Sequence, residues 1–234
     1  MERDRTIGFL SGNALKIIAL ISMTLDHVGL QLFPDLVIFR ILGRLALPIF
    51  AYMIAEGCRY TRNKWKYIGL TFAVGALCQL VYFVAMDSLY MCILITFTLS
   101  ILLIYALMYL ESRRNILSLL LFLAVLGAEL FIVEVLPVRI LSGTDFAIDY
   151  GQWGILLPVL VYMGRNKYTK LLLLSVGLFG LSKASPFAFQ WYSFFALVPL
   201  FFYSGKRGKY KLKYLFYVYY PLHLGIIYLI SLIV

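Results

Sequence analysis

Apolar runs of roughly 17 to 25 residues recur along nearly the whole chain, separated by short polar connections. A helix of about 20 residues crosses the ~30 Å hydrocarbon core of a bilayer, so each run predicts one crossing. Nine emerge, at roughly 14–34, 36–57, 67–86, 91–110, 116–136, 150–164, 170–184, 188–204 and 214–234. No stretch alternates apolar and polar positions as a membrane barrel strand does. Pro34 and Asp35 mark a tight turn between the first two runs, and Pro48 predicts a kink in the second. The pattern predicts an all-α polytopic membrane protein of about nine transmembrane helices, without an inverted repeat or a broken-helix signal of the transporter kind.

Composition agrees. The 234 residues are 63% hydrophobic and 14% charged, with a mean hydropathy of +0.91. That is more apolar surface than a soluble core needs. The net charge of +10 is a matter of orientation and not of a nucleic-acid partner, because the basic residues gather in alternate connections. One set holds Arg3, Arg5, Arg59, Arg62, Lys64, Lys66, Arg113, Arg114, Arg165, Lys167, Lys170, Lys206, Arg207, Lys209, Lys211 and Lys213. The other holds Arg139 and Lys183, with Asp35, Asp87, Asp145 and Asp149. The positive-inside rule then places the N-terminus in the cytoplasm and, after nine crossings, the C-terminus outside. The first apolar stretch is too long for a signal peptide and reads as a retained span. Cys58, Cys78 and Cys92 form neither a disulfide framework nor a metal spacing.

Ionisable residues break the apolar pattern of the first two spans, among them Lys16, Asp26, His27, Arg40 and Arg44. Each costs at least a few kcal/mol in hydrocarbon, so such residues pair, line a wet cavity or do chemistry. In an antiparallel hairpin turning near residue 35, residues whose numbers sum to about 71 share a depth. His27 then lies level with Arg44, Gln31 with Arg40, and Lys16 with Glu56 near the cytoplasmic end. Lys16, His27 and Gln31 share one face, and Asp26 points about 80–100° aside. Asp26 is therefore expected to pair with Arg44 or hold another helix, not to orient His27. Two readings stand here, a structural lock and a catalytic group. His27 and His223 are each either a satisfied core histidine or a working one. Arg40 is near enough to the outer edge to snorkel. Glu129 is a further intramembrane carboxyl, and Tyr150-Gly151-Gln152-Trp153-Gly154 reads as a close helix contact or a site wall.

ALKIIALISMTLDHVG and FRILGRLALPIFAYMIAEGCRYTRNKWKYIGL, closed by YYPLHLGIIYLI, resemble the TraX family of membrane proteins. The resemblance is best over residues 14–85, extends to 149–164 and 214–230, and implies one acyltransferase-like transmembrane domain over residues 1–234. It implies an acetyltransferase using acetyl-CoA, since the family's namesake acetylates the N-terminus of conjugative pilin. The acceptor implied is a peptide N-terminus, another amine or a glycan hydroxyl. The setting is the bacterial inner membrane. The family is also similar to larger membrane acyltransferases that carry an arginine, ten residues and a histidine in the first span. Lys16 and His27 take those places here, with a point charge where those larger acyltransferases have a bidentate fork.

Acyl transfer needs a base near the acceptor and a positive or donor group for the developing oxyanion. The resemblance makes His27 the expected base, supported by Asp26 and Arg44, with His223 as a second catalytic candidate or a nucleophile. Lys16, Arg40, Glu56, Arg59, Arg62 and Lys64 are the expected donor-binding residues, with the nucleotide at the cytoplasmic mouth. The rival is a permease that uses the charged hairpin as a substrate or proton relay. A non-catalytic assembly factor is the third reading.

Overall fold

The computed structural model describes residues 8–209 and 213–233, all helix and connections. Arg3, Arg5 and Lys211, part of the expected cytoplasmic charge, lie outside the described residues. Each of the nine apolar runs is a helical stretch. In order these are α1 (Gly12–Gln31), α2 (Val37–Gly43) with α3 (Ala46–Tyr60), α4 (Lys64–Met86), α5 (Ile93–Arg113), and α6 (Ile116–Leu130) continued as a π-helix over Phe131–Ile140. Then come α7 (Gly151–Met163), α8 (Lys167–Ala184), a 3-10 helix (Ala188–Ala196) with α9 (Leu197–Phe201), and α10 (Lys213–Ser231). Among the described residues, five stretches are long and apolar enough to cross a membrane: 12–31, 37–60, 64–84, 93–113 and 116–140. The chain is a helical membrane protein.

The residues form two compact units, Met1–Met53 with Met163–Val234, and Ile54–Tyr162. In the first unit α1 and α2 make the expected hairpin. Its second limb is not one helix with a kink at Pro48, because the helix stops at Arg44 and Leu45. Proline has no N–H and its ring collides with the carbonyl four residues back. For Pro48 that carbonyl belongs to Arg44, so the break falls one turn ahead of the proline. The last four carbonyls of α2 then need other donors. Arg40 O accepts from Arg44 Nε (3.2 Å) and Ile41 O from the Arg44 N–H (3.2 Å). Leu42 O and Gly43 O accept from Ser22 Oγ of α1 at 2.5 and 3.0 Å. The last-turn carbonyls of α2 at this break are thus hydrogen-bonded from within the hairpin, two of them sharing the Ser22 hydroxyl.

The start of α1 is tied to the connection before α10. Leu10 N–H donates to Phe202 O (2.9 Å), Ser204 N–H to Leu10 O (2.9 Å), and Gly12 and Asn13 N–H to Lys206 O (2.7 Å) and Arg207 O (2.9 Å). Ser11 Oγ takes the Ala14 N–H (3.2 Å). The first-turn donors of α1 are therefore committed to protein, not left open as an anion cradle. Further along, Lys16 Nζ sits 5.2 Å from the Phe216 ring centroid, Thr24 bonds Tyr219 and His27 bonds His223. The numbers rise together on both helices, so α1 and α10 pack in parallel.

In the second unit, Tyr150-Gly151-Gln152-Trp153-Gly154 is a close helix contact. A Cβ on Gly154 would lie 2.7 Å from Tyr150 Cβ and 3.1 Å from Thr96 Cγ2 of α5, and Ser100 Oγ donates to Ile155 O (2.9 Å). Beside it, the connection 87–92 is pinned to the connection 141–150. Asp145 accepts from Ser88 Oγ (2.6 Å) and from the Leu89 N–H (2.8 Å). These bonds, the Ser88 one first, hold the Asp145 carboxyl below its ordinary range. A depressed carboxyl supports its contact above its own pKa and loses it as pH falls through that value. Hydrogen exchange at the Leu89 amide is expected to stay slow from neutral pH down past the usual carboxylate range and to quicken only below it. Asp145→Ala is expected to give the quick exchange already at neutral pH.

Candidate functional site

The hairpin carries a buried charge cluster. Asp26 Oδ2 accepts from Arg40 Nη1 (2.9 Å), and Asp26 Oδ1 from Arg44 Nη2. Arg40 Nη1 also reaches Asp26 O (3.2 Å). The side chains of Asp26, Arg40 and Arg44 are 13%, 17% and 5% exposed. The Phe189 ring lies under both guanidiniums, 5.7 Å from Arg40 and 5.3 Å from Arg44, a distance at which the ring face attracts a cation. The expected Asp26–Arg44 pair is present. Arg40, however, does not snorkel outward, and it meets Asp26 instead of the level of Gln31. The backbones approach at Gly29 against Phe39 and Gly43 against Asp26, so the register sums are 68 and 69, about one turn from the 71 of an uninterrupted hairpin.

His27 points about 80–100° aside from Asp26, as the helix angle required. Its Nδ1 lies 2.9 Å from Nε2 of His223, and His223 Nδ1 lies 2.9 Å from the Tyr219 carbonyl oxygen. A carbonyl only accepts, so His223 Nδ1 carries a proton. With both rings neutral, His223 Nε2 then accepts from His27 Nδ1–H, and the lone pair of His27 Nε2 has no partner among the described residues. His27 is half-buried. The relay is fixed on its far side as well. Tyr219 stacks on His223 at 5.3 Å and 9°, and Tyr220 meets the same ring edge-on. The Tyr219 hydroxyl lies 2.7 Å from Thr24 Oγ1. Thr24 gives its own proton to Leu20 O (2.9 Å), so Tyr219 is the donor.

The structure thus joins Asp26 with Arg40 and Arg44, and His27 with His223. Lys16 shares the α10-facing side of α1 with His27, about 16 Å away along the axis. Glu56, Arg59, Arg62 and Lys64 belong to the second unit. Arg59 donates to the Tyr162 carbonyl at the end of α7 and stacks on the Tyr162 ring at 5.0 Å, where helix-end carbonyls favour a cation. Arg62 is exposed in the turn before α4, and Lys64 Nζ is 5.5 Å from the Tyr105 ring. Glu129 of α6 is 1% exposed, with neither carboxyl oxygen bonded among the described residues.

Sequence reasoning missed Ser22, Thr24 and Gln190, whose Oε1 accepts from Arg44 Nη1 (3.2 Å). Gln190 carried a signal: with Ser193 it is polar in the otherwise apolar run 187–202.

The protein family described as TraX protein matches residues 11–231. The chain belongs to the TraX family. Its TraX resemblance therefore extends well past residue 85, through the middle of the chain. A probable fimbrial assembly protein FimC, serogroup H1, from Dichelobacter nodosus is 29% identical to it over 96% of each chain. An uncharacterised protein of Rickettsia prowazekii (strain Madrid E) is 55% identical over a short stretch, 16% of this chain and 15% of its own. No solved structure matches.

Two substitutions check the cluster. Asp26→Asn leaves two buried guanidiniums without their shared counter-charge and is expected to cost about 3–5 kcal/mol, read as a fall in the unfolding midpoint in detergent. Gly43→Ala puts a methyl group into the Asp26 side chain. It is expected to cost ~1–3 kcal/mol, whereas alanine at Gly69, which lies inside α4 and faces open space, is expected to hold or raise the midpoint, by up to about 1 kcal/mol.

Proposed function

We propose that this TraX-family protein is an acetyl-CoA-dependent transmembrane acetyltransferase of the bacterial cytoplasmic membrane, with the whole chain acting as one acyltransferase-like domain. The observation that carries the reading is the His27–His223–Tyr219 relay. A carbonyl fixes one ring, that ring fixes the other, and His27 Nε2 is left to take a proton. Its acceptor is an amine or hydroxyl at or across the membrane. The relative's name, a fimbrial assembly protein, favours a peptide N-terminus.

The chemistry balances on these groups. The acceptor nitrogen or oxygen attacks the thioester carbonyl carbon as His27 Nε2 removes its proton. The tetrahedral centre collapses with cleavage of the C–S bond, and the proton held by His27 goes to the leaving thiolate to give free coenzyme A. Asp26 with Arg40 and Arg44 supplies a fixed charged wall beside the base. Lys16, on the same side of α1 and about a pantetheine's length away, receives donor phosphate as a point charge. Of the other expected donor-binding residues, Arg40 lies in the unit that carries His27.

The parallel packing of α1 and α10 supports an odd number of crossings, with the N-terminus inside and the C-terminus outside. A broken helix does occur, at Arg44–Leu45, contrary to the expectation from sequence. Discontinuous helices in transporters offer open backbone to a solute. Here the carbonyls of the break are taken by Ser22 and Arg44, which favours an enzyme over a permease.

The test is release of free thiol from acetyl-CoA in detergent-permeabilised membranes carrying the chain. His27→Ala is expected to lower the rate about 10²–10⁴-fold. His223→Ala, which unlocks the tautomer and leaves the base in place, is expected to lower it less. Thiol release that survives His27→Ala undiminished would sink the proposal.

A further inference from the structure

The 3-10 helix Ala188–Ala196 runs for nine residues, where three or four are usual. At three residues per turn, side chains three apart eclipse one another, so Gln190, Ser193 and Ala196 form a single row. They are 2%, 0% and 0% exposed, while Trp191, Tyr192 and Phe195 are exposed. The segment turns its two polar side chains inward and these rings out. Because Gln190 Oε1 accepts from Arg44 Nη1, the amide is oriented and its nitrogen points elsewhere as a donor. Neither Gln190 Nε2 nor Ser193 Oγ has a hydrogen-bond partner among the described residues. Apolar side chains of the same size would avoid that desolvation cost. Two buried donors in line, beside the guanidinium of Arg44, suit an oxygen that carries or develops negative charge.

We infer that the Gln190–Ser193 row is a subsite for a carbonyl oxygen of the bound substrate, and that in acetyl transfer it holds the acetyl carbonyl of the donor. This rests on the transferase reading above. As the acceptor attacks, the carbonyl π electrons move onto that oxygen, and the Gln190 N–H and Ser193 O–H stabilise them. When the C–S bond breaks, the electrons return to re-form the C=O bond and the row is unchanged.

Ser193→Ala and Gln190→Glu isolate the row. Alanine removes only the unpaired hydroxyl. Glutamate keeps an oxygen for Arg44 but replaces the free donor with an acceptor. The unfolding midpoint of the purified full chain is read without ligand, with coenzyme A and with acetyl-CoA. Ligand-free Ser193→Ala is expected to melt at or above the parent. The parent is expected to gain more from acetyl-CoA than from coenzyme A, and Gln190→Glu to lose that difference. Thiol release by Gln190→Glu is expected to fall ~100-fold or more. A ligand-free midpoint of Ser193→Ala several degrees below the parent would mean the hydroxyl is satisfied within the fold. An intact acetyl-CoA preference in Gln190→Glu would put the carbonyl elsewhere. Either result overturns the inference and leaves the role of His27 standing. A parent unmoved by both ligands, with His27→Ala as active as the parent, defeats the transferase reading itself and removes the acetyl carbonyl as occupant.

Discussion

One carboxylate organises the first unit. Asp26 is held by two guanidiniums from the opposing limb of the hairpin, at a depth where an unpaired charge of either sign is expensive. An ion pair of this kind is weak evidence for net stability but strong evidence for register. Sliding the hairpin by one residue would strand all three charges. Gly29 and Gly43 let the limbs approach closely enough for the pairing, and Phe189 covers both guanidiniums from the 3-10 helix. The hairpin, the helix break and the 3-10 helix are positioned around the same three side chains.

The break itself follows from Pro48, yet its consequence is felt at Arg44. By ending α2, it frees the Arg44 side chain and main chain to serve at once as counter-ion, C-terminal cap and anchor for Gln190. A continuous helix would already have used the carbonyls that Ser22 and Arg44 satisfy. Local backbone chemistry and the polar site are thus one problem with one solution.

The nine helical stretches were legible because each run is long, apolar and flanked by polar punctuation. The Asp26–Arg44 pair was legible because rise per residue converts sequence spacing into depth. The exact register was not, because the arithmetic assumed an unbroken second limb. Arg40 was misread as an edge residue for the same reason. His27 and His223 were each visible as polar intruders. Their contact, across a sequence separation of 196, depends on which helices become neighbours, and no local period records that. Gln190 and Ser193 stayed hidden because a spacing of three within an aromatic-rich run looks like ordinary helix until the 3-10 geometry is known.

The parallel seating of α10 on α1 also sets a timetable. During synthesis α1 is made well before α10 and must wait in the bilayer while the helices between them follow. Until α10 arrives, the Nδ1–H of His27 has no His223 to receive it and Thr24 no phenol to accept. The charge cluster needs only the next limb of the chain, so it closes early and neutralises the most costly groups at once. The histidine relay closes late. Local pairing thus protects the nascent protein, and the histidine pair comes into being only when α10 has been threaded.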